Sequence, residues 1–197
     1  MRRARQSAAE RGGFTLIELL VVLTVIGILV SVTVVSFGDS GQQGRDLERQ
    51  SDLRAVAAAL ESYKRREGSY PSQACSSGGW ATEEACGDVY IDGLWPQYID
   101  ELPQDPRRGN ADGYSYRTNT DGTVYKLMAR GTVESETVTA DHSLAPCDMS
   151  PDWCNNSPGC DENSSIFQTS YAVWGGFADA ETESDVRDQT QDVICEI

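Results

Sequence analysis

A long apolar run near the start of the chain constrains the fold more than any other feature. Residues 14–37 form a stretch of 24 residues in which Glu18 is the only charged side chain. As an α-helix this stretch would be about 36 Å long, enough to cross a hydrocarbon core of about 30 Å. The sequence therefore predicts a transmembrane helix over residues 14–37. The Glu18 carboxylate near the start of this helix is unusual for a membrane-spanning segment.

The residues before this run set its orientation. A cleavable secretory signal has an apolar region of about 7–15 residues and a small-residue cleavage site, whereas this run is longer and is followed by a poor exit site. Residues 1–13 carry four arginines and one glutamate, so the positive-inside rule keeps this end in the cytoplasm. We expect a single-pass protein of the cell (inner) membrane, with residues 38–197 on the outer side.

The outer part of the chain is strongly acidic. The formal net charge is −15, and the first thirteen residues contribute +3, so residues 14–197 carry −18. Such a surface disfavours nucleic acid and anionic lipid headgroups as partners. We therefore expect an acidic outer domain that binds no nucleic acid.

The cysteines favour disulfides over metal binding, since all six lie on the predicted outer side. An even number outside the cell indicates a disulfide framework, for which six cysteines allow fifteen connectivities. A zinc site would need closely spaced ligand pairs, which are absent here. The pairs that we predict are Cys75–Cys86, Cys147–Cys154 and Cys160–Cys195. Only the first has support in the pattern, because those two cysteines are isolated from the others.

The pattern after the apolar run predicts a second helical segment. Three glycines over residues 38–44 predict a kink or a loosened turn. Helical periodicity then resumes, and Gly68 is placed to end this segment. Its apolar stripe, which needs a sheet to pack against, comprises Leu53, Val56, Leu60 and Tyr63.

Two alternating segments predict a β-hairpin. They cover residues 113–119 and 123–131, with Asp121-Gly122 as the turn between them. A polar third strand at a sheet edge is predicted over residues 132–140. The remaining patterns predict a short helix over 94–102, a disulfide-held loop over 141–165 and a short strand within 165–180.

Residues typical of catalysis are scarce. The sequence contains no phosphate-binding loop and no dinucleotide-binding glycine motif, and His142 is its only histidine. His142 is thus the one obvious base for a membrane-anchored hydrolase, an alternative against which we predict no enzymatic activity. We also expect no cofactor. A calcium option rests on Asp105, Asp112 and Asp121, which lack an ordered calcium-loop spacing.

The start of the apolar run carries a specific motif. In GG-FTLIELL a basic leader ends at Gly13, an aromatic residue, Phe14, follows, and Glu18 comes four residues later. This resembles the processing site of type IV prepilins and of the pseudopilins of type II secretion systems. The resemblance implies cleavage by prepilin peptidase between Gly13 and Phe14 and N-methylation of Phe14. It also implies that Glu18 pairs with the amino terminus of an adjacent subunit.

Electrostatics gives a physical reason for such a pair. A carboxylate in hydrocarbon costs about 2.5–3.5 kcal/mol on insertion scales. Cleavage would create a cationic amino terminus on Phe14 that can neutralise Glu18 when two helices have the right axial offset, so the pair would set register. The alternative is that Glu18 extends to the cytoplasmic interface near the leader arginines. After cleavage we expect the register role.

Later segments extend the resemblance. YIDELPQDP, GYSYR and VYKLMARGTVE are similar to segments that follow the helix in pilins and major pseudopilins. The implied fold is α+β and pilin-like, with a long N-terminal helix on a small antiparallel sheet and a disulfide-rich C-terminal loop region. The implied divisions are a basic leader over 1–13, a transmembrane or filament-core helix over 14–37, the extramembrane half of the helix over 38–68 and a globular domain over 69–197.

Two departures from major pseudopilins are visible. Arg107 stands where they often have tryptophan, and their C-terminal calcium-binding loop has no clear counterpart. The sequence therefore predicts a structural subunit of a type IV pilus-like filament. The alternatives are a pseudopilin of type II secretion and a membrane-tethered binding module that does not polymerise. The implied partners are prepilin peptidase, other pilin or pseudopilin subunits, an inner-membrane assembly platform and membrane lipid.

Overall fold

The fold combines one long helix with a small antiparallel sheet. The computed structural model describes residues 13–75, 79–107, 113–147, 160–176, 193–195 and 197, with the side chains of residues 32–39 outside that description. Its elements are α1 (Leu16–Glu67), β1 (Ala81–Thr82), α2 (Glu83–Cys86), β2 (Tyr114–Thr118), β3 (Val124–Ala129), α3 (Ser165–Gln168) and β4 (Tyr171–Gly176). The chain divides into two compact units between Gly41 and Gln42. Residues 1–12 of the predicted leader over residues 1–13 lie outside the described residues.

The first unit contains the N-terminal part of α1. Its large apolar side chains between Phe14 and Val30 are exposed, because this unit offers them no sheet to pack against. Among the residues that the structure describes, no helix has both the length and the apolar character that a membrane crossing requires. The transmembrane helix over residues 14–37 stays a prediction. Residues 38–44, where the sequence predicts a kink or a loosened turn, are part of α1.

The second unit buries the apolar stripe of α1 as predicted. Leu53, Val56 and Leu60 are fully buried, and Tyr63 packs against the same core. The helix ends at Glu67, and the Gly68 amide donates a hydrogen bond to the Lys64 carbonyl at 2.8 Å. Gly68 has a φ of +91°, which a residue with a side chain rarely adopts, so the predicted glycine stop is confirmed.

The four strands form an antiparallel sheet with the order β1-β2-β3-β4. The predicted hairpin is its centre, since Thr118 pairs with Tyr125 and Tyr114 pairs with Ala129. The turn closes through a hydrogen bond from the Gly122 amide to the Asn119 carbonyl at 3.0 Å. Gly122 has a φ of +63°, which explains why glycine stands at this position.

Both faces of the sheet are buried. On one face Tyr116, Leu127 and Tyr171 join the core cluster that contains the stripe of α1. On the other side Val124 belongs to a second apolar cluster, with Phe167 and residues of the C-terminal segment 193–195. The C-terminal region is thus part of the core as well as a loop region, and the α+β pilin-like fold is as predicted.

Three weaker predictions need correction or refinement. Residues 132–140 form no strand, because Val133 and Val138 donate their amides to the carbonyls of Thr169 and Gln168 at the end of α3, both at 2.9 Å, and join no sheet ladder. Residues 94–102 form no helix; the Tyr98 amide donates to the Leu94 carbonyl at 3.0 Å, which closes a single turn that does not continue. The strand predicted within residues 165–180 is present as β4, with α3 before it.

The structure corrects part of the disulfide pairing. Cys75 bonds to Cys86 as predicted, with 5.4 Å between their Cα atoms. Cys147 bonds to Cys160, so the predicted pairs Cys147–Cys154 and Cys160–Cys195 are wrong. The reason is packing, because Cys147 and Cys160 meet in the second apolar cluster beside Phe167. Cys195 is also in a disulfide, and Cys154 lies outside the described residues.

Candidate processing and assembly site

The three residues of the predicted processing motif lie together at the start of α1. Thr15 precedes the first helical residue, and Glu18 is the third residue of the helix. The Oε2 atom of Glu18 accepts hydrogen bonds from the amide and the hydroxyl of Thr15, both at 2.9 Å. The Glu18 amide donates in return to the Thr15 hydroxyl at 3.3 Å. This reciprocal arrangement is a capping box, which satisfies amides that the first turn of a helix otherwise leaves unbonded.

The capping box gives Glu18 a local role that the sequence reasoning missed. The signal was present as T-x-x-E immediately before an apolar run, which is the usual signature of this cap. The cap holds the carboxylate beside Thr15, the residue directly after Phe14. A cationic amino terminus created on Phe14 would therefore lie close to Glu18 of the same chain.

The segment around the predicted cleavage bond is accessible. Phe14 is 90% exposed, and a Cβ atom added to Gly13 would meet no atom within 4 Å. A protease must bind its substrate as an extended, accessible segment, and residues 13–15 precede the helix. The exposed apolar side chains that follow form a surface of the kind that marks a membrane or protein interaction site.

A buried ionic cluster fixes the second half of α1 to two loops. Its centre is Arg49, whose side chain is 0% exposed. The Arg49 Nε and Nη2 atoms donate to the two Asp105 oxygens at 2.7 and 3.0 Å, and Nη1 donates to Asp46 at 2.6 Å. Nη2 also donates to Glu134 at 3.1 Å. We call Arg45, Asp46, Arg49, Asp105 and Glu134 the Arg49 cluster.

The cluster is close to neutral, and its charges perturb one another. Hydrogen bonds from Arg45, at 2.6 and 2.8 Å, lower the pKa of Glu134 from its ordinary value of 4.5 to about 2. Burial alone would lower the pKa of Arg49, but its bonds to carboxylates raise it above the ordinary value. Asp46 also accepts the backbone amides of Glu134 and Ser135, at 3.1 and 2.7 Å. Segment 132–136 is therefore held by charge and amide contacts in place of a strand ladder.

The residues of the calcium option are not brought together as a site. Asp105 has both carboxylate oxygens bonded to Arg49, so a metal ion would have to displace a buried cation. Asp121 is exposed at the hairpin turn, and Asp112 lies outside the described residues. In the parts of the chain that the structure describes, no group of three or more potential ligands could hold a metal ion.

His142 is engaged within the fold. Its Nδ1 atom accepts the Leu144 amide at 3.1 Å, and its Nε2 atom lies 3.5 Å from a Glu136 carboxylate oxygen. The ring stacks on Tyr171 with 5.3 Å between ring centroids. Both nitrogens of His142 thus contact groups of the fold. His142 would have to break these contacts before it could act as a base on a substrate.

Comparison with known proteins agrees with the motif and extends beyond it. The family model described as the prokaryotic N-terminal methylation motif matches residues 10–34. The chain is 32% identical to type II secretion system core protein G of Pseudomonas aeruginosa over 125 residues, which cover 62% of this chain and 77% of the relative. It is 31% identical to the protein of the same name from Vibrio cholerae over 137 residues, which cover 67% of this chain and 90% of the relative.

A third relative with the same name, from Pectobacterium carotovorum, is 29% identical over 128 residues, which cover 64% of this chain and 72% of the relative. No solved structure matches the chain.

Proposed function

Because this chain belongs to the family of type IV pilins and type II secretion pseudopilins, we propose that it serves as a pseudopilin of a type II secretion system. The predicted role as a structural subunit of a pilus-like filament is confirmed at the level of the family. The family is structural, and we assign the chain no catalytic role.

The observation that carries the proposal is the extent of the similarity. A methylation motif alone is common to prepilin-like proteins of every filament type, but here the similarity to core protein G covers 62% of the chain. It therefore includes much of the globular domain, where filament types differ. This favours the pseudopilin over the pilus subunit, although the sequence alone predicts the pilus subunit first and the pseudopilin as an alternative.

The proposed maturation begins with insertion of the chain in the inner membrane, the leader remaining in the cytoplasm. Prepilin peptidase then cuts between Gly13 and Phe14 and methylates the new amino terminus. The exposed apolar residues of α1 pack against those of neighbouring subunits and form the filament core. Glu18 neutralises an amino terminus on an adjacent chain, which sets the axial offset between subunits.

The test is mass spectrometry of the chain from native cells, combined with one substitution. We expect a chain that begins at N-methylated Phe14 and is found in the cell envelope. Glu18→Ala should abolish incorporation into filaments, whereas Glu48→Ala, the same change at an exposed position of α1, should not. Deletion of the gene should block type II secretion while surface pili persist.

Other outcomes would point elsewhere. An abundant methylated chain in sheared surface filaments would indicate a pilus subunit. A chain still beginning near Met1 in every fraction would show that no processing occurs. A processed Glu18→Ala chain that functions normally would favour the tethered binding module.

A further inference from the structure

The loop that connects α2 to β2 presents an exposed tryptophan among carboxylates. Trp95 is 53% exposed and Val89 is 43% exposed. These two line an open cleft of about 520 Å³ together with three carboxylates. We call this surface the Trp95 loop, and its members are Asp88, Val89, Trp95, Asp100 and Glu101.

The Trp95 loop is anchored to the fold on both sides of the tryptophan. Leu94 is fully buried in the core. Tyr98 packs on Tyr63 with 5.0 Å between ring centroids and donates its hydroxyl to Glu67 at 2.7 Å. The exposure of Trp95 is therefore a property of an ordered loop. An exposed tryptophan on an ordered loop is the residue type most enriched at the energetic centres of protein interfaces.

One strip of the solvent face of α1 in the same unit has the opposite charge, with the exposed Glu48 and the half-buried Glu61 beside it. Spacings of four, three, four and seven residues place one set of exposed side chains on a single face of the helix. We call this set the arginine stripe, and its members are Leu47, Ser51, Arg54, Ala58 and Arg65. None of the five is acidic, although the chain as a whole carries a net charge of −15. Neither arginine forms a salt bridge within the described residues.

We propose that the Trp95 loop of one subunit docks on the arginine stripe of a second copy of this chain. The small side chain of Ala58, which lies between the two arginines, leaves room for the indole ring. The guanidinium of one arginine can then stack on the indole face, and Asp100 and Glu101 can pair with the guanidinium of the other arginine. This contact rests on the proposed function, because only an assembling subunit meets further copies of itself in fixed order.

Charge identifies the second copy as the occupant. An aromatic patch with an acidic rim favours a cationic partner surface. The rest of this chain's surface is acidic, so two copies repel each other when they approach through it. The arginine stripe supplies that cationic face on the same molecule. Because the Trp95 loop and the arginine stripe are different surfaces, the contact is heterologous. A subunit that uses one of the two surfaces therefore keeps the other available for the next subunit. Such contacts propagate along a filament in place of closing a dimer.

The first experiment is site-specific photocrosslinking in cells that assemble the full-length chain. A benzoylphenylalanine replaces Trp95, and Thr120, exposed at the hairpin turn, is replaced in the same way as a control. We expect ultraviolet light to produce covalent dimers and larger species from the Trp95 position, with the crosslinked peptide containing residues 47–65. The Thr120 position should yield no crosslink to that peptide.

The second experiment reverses charges. Asp100→Lys with Glu101→Lys should reduce assembled filament about tenfold, as should Arg54→Glu with Arg65→Glu, since each replaces the attraction between the carboxylates and an arginine by repulsion. Combining all four should restore part of the assembly, because the charge pair returns while the guanidinium on the indole does not, and damage to the fold could not give that outcome. Glu84→Lys, an exposed carboxylate outside both surfaces, serves as the control and should have no effect.

The outcomes separate this inference from the proposed function. Filaments that form normally while Trp95 crosslinks to another protein, or to nothing, would overturn the docking contact alone. Charge reversals that fail to rescue one another would also overturn it. A processed chain that never assembles under any condition would refute the proposed function and this contact together.

Discussion

Replacing Arg49 with leucine should destabilise the second unit more than any change on the surface of α1. The guanidinium is fully buried and donates four hydrogen bonds to three carboxylates. Leucine fills part of the space but removes the positive charge. Asp105 is affected most, because it is itself 2% exposed and, among the described residues, keeps only the Arg107 amide as a donor, at 2.8 Å.

The loss of unfolding free energy depends on the buried carboxylates that lose Arg49 as their partner. Breaking a buried ion pair by removing one partner costs about 3–5 kcal/mol, since an uncompensated charge stays in the interior. Asp46 and Glu134 retain other donors, namely the Ser135 amide at 2.7 Å and Arg45 at 2.6 Å, so they add little. We expect a loss of about 3–5 kcal/mol for Arg49→Leu. Arg49→Lys keeps the charge and should lose less, about 1.5–3 kcal/mol, the value of a hydrogen bond to a charged group.

The assay is urea unfolding of the full-length chain in detergent, followed by near-ultraviolet circular dichroism of its tyrosines and tryptophans. Arg54→Leu is the matched control, because it makes the same change at an exposed position of the same helix and should stay within about 0.5 kcal/mol of the wild type. An Arg49→Leu chain within about 1 kcal/mol of the wild type would refute the reasoning that the cluster holds α1 to its loops.

Three further predictions follow from the described contacts. The pKa of Glu134 is lowered from 4.5 to about 2 in the fold, so its contribution to stability is complete above pH 4.5 and disappears as pH falls toward 2. Acid titration of unfolding should show this loss, and Arg45→Ala should diminish it; an unchanged profile would count against the pair. Gly122→Ala should cost about 1–3 kcal/mol in urea unfolding, because of its φ of +63° and a backbone oxygen 2.8 Å from the added Cβ; a neutral result would contradict this turn geometry. Cys147→Ser with Cys160→Ser should lower stability by about 2–4 kcal/mol, and mass spectrometry of the unreduced wild type should recover the peptide that joins the two; a different pair would disprove the connectivity.

The central hairpin and the packed stripe of α1 could be predicted because their signals are local. Asp121-Gly122 between two alternating segments specifies a turn, and a period of 3.6 residues identifies the buried face of a helix. The same holds for the processing motif, which lies within ten residues. The capping role of Glu18 is the exception. Its position three residues after Thr15 indicates a capping box, but the sequence analysis explains Glu18 only by the cost of a carboxylate in hydrocarbon.

The contacts that escaped prediction join distant parts of the chain. Arg45 and Glu134 are separated by 89 residues, and no local pattern marks two such residues as partners. For the same reason the polar segment 132–140 predicts an edge strand that the fold does not contain. Its amides bond instead to Asp46 on α1 and to the carbonyls of Gln168 and Thr169 at the end of α3. Cys147 bonds to Cys160 within a shared apolar cluster, and spacing alone cannot identify that pair among the fifteen connectivities that six cysteines allow.

The Arg49 cluster also has a consequence for how the chain is made. Its carboxylates come from positions 46, 105 and 134, so synthesis delivers them in that order. Until residue 134 has emerged, Arg49 lacks its bond to Glu134, and Arg45 lacks both of its bonds to that carboxylate. The ion pairs that hold the helix to its loops are therefore complete only after β2 and β3 have been made. A chain truncated ahead of that residue would hold α1 less firmly and would be cut by proteases more readily than the full-length chain.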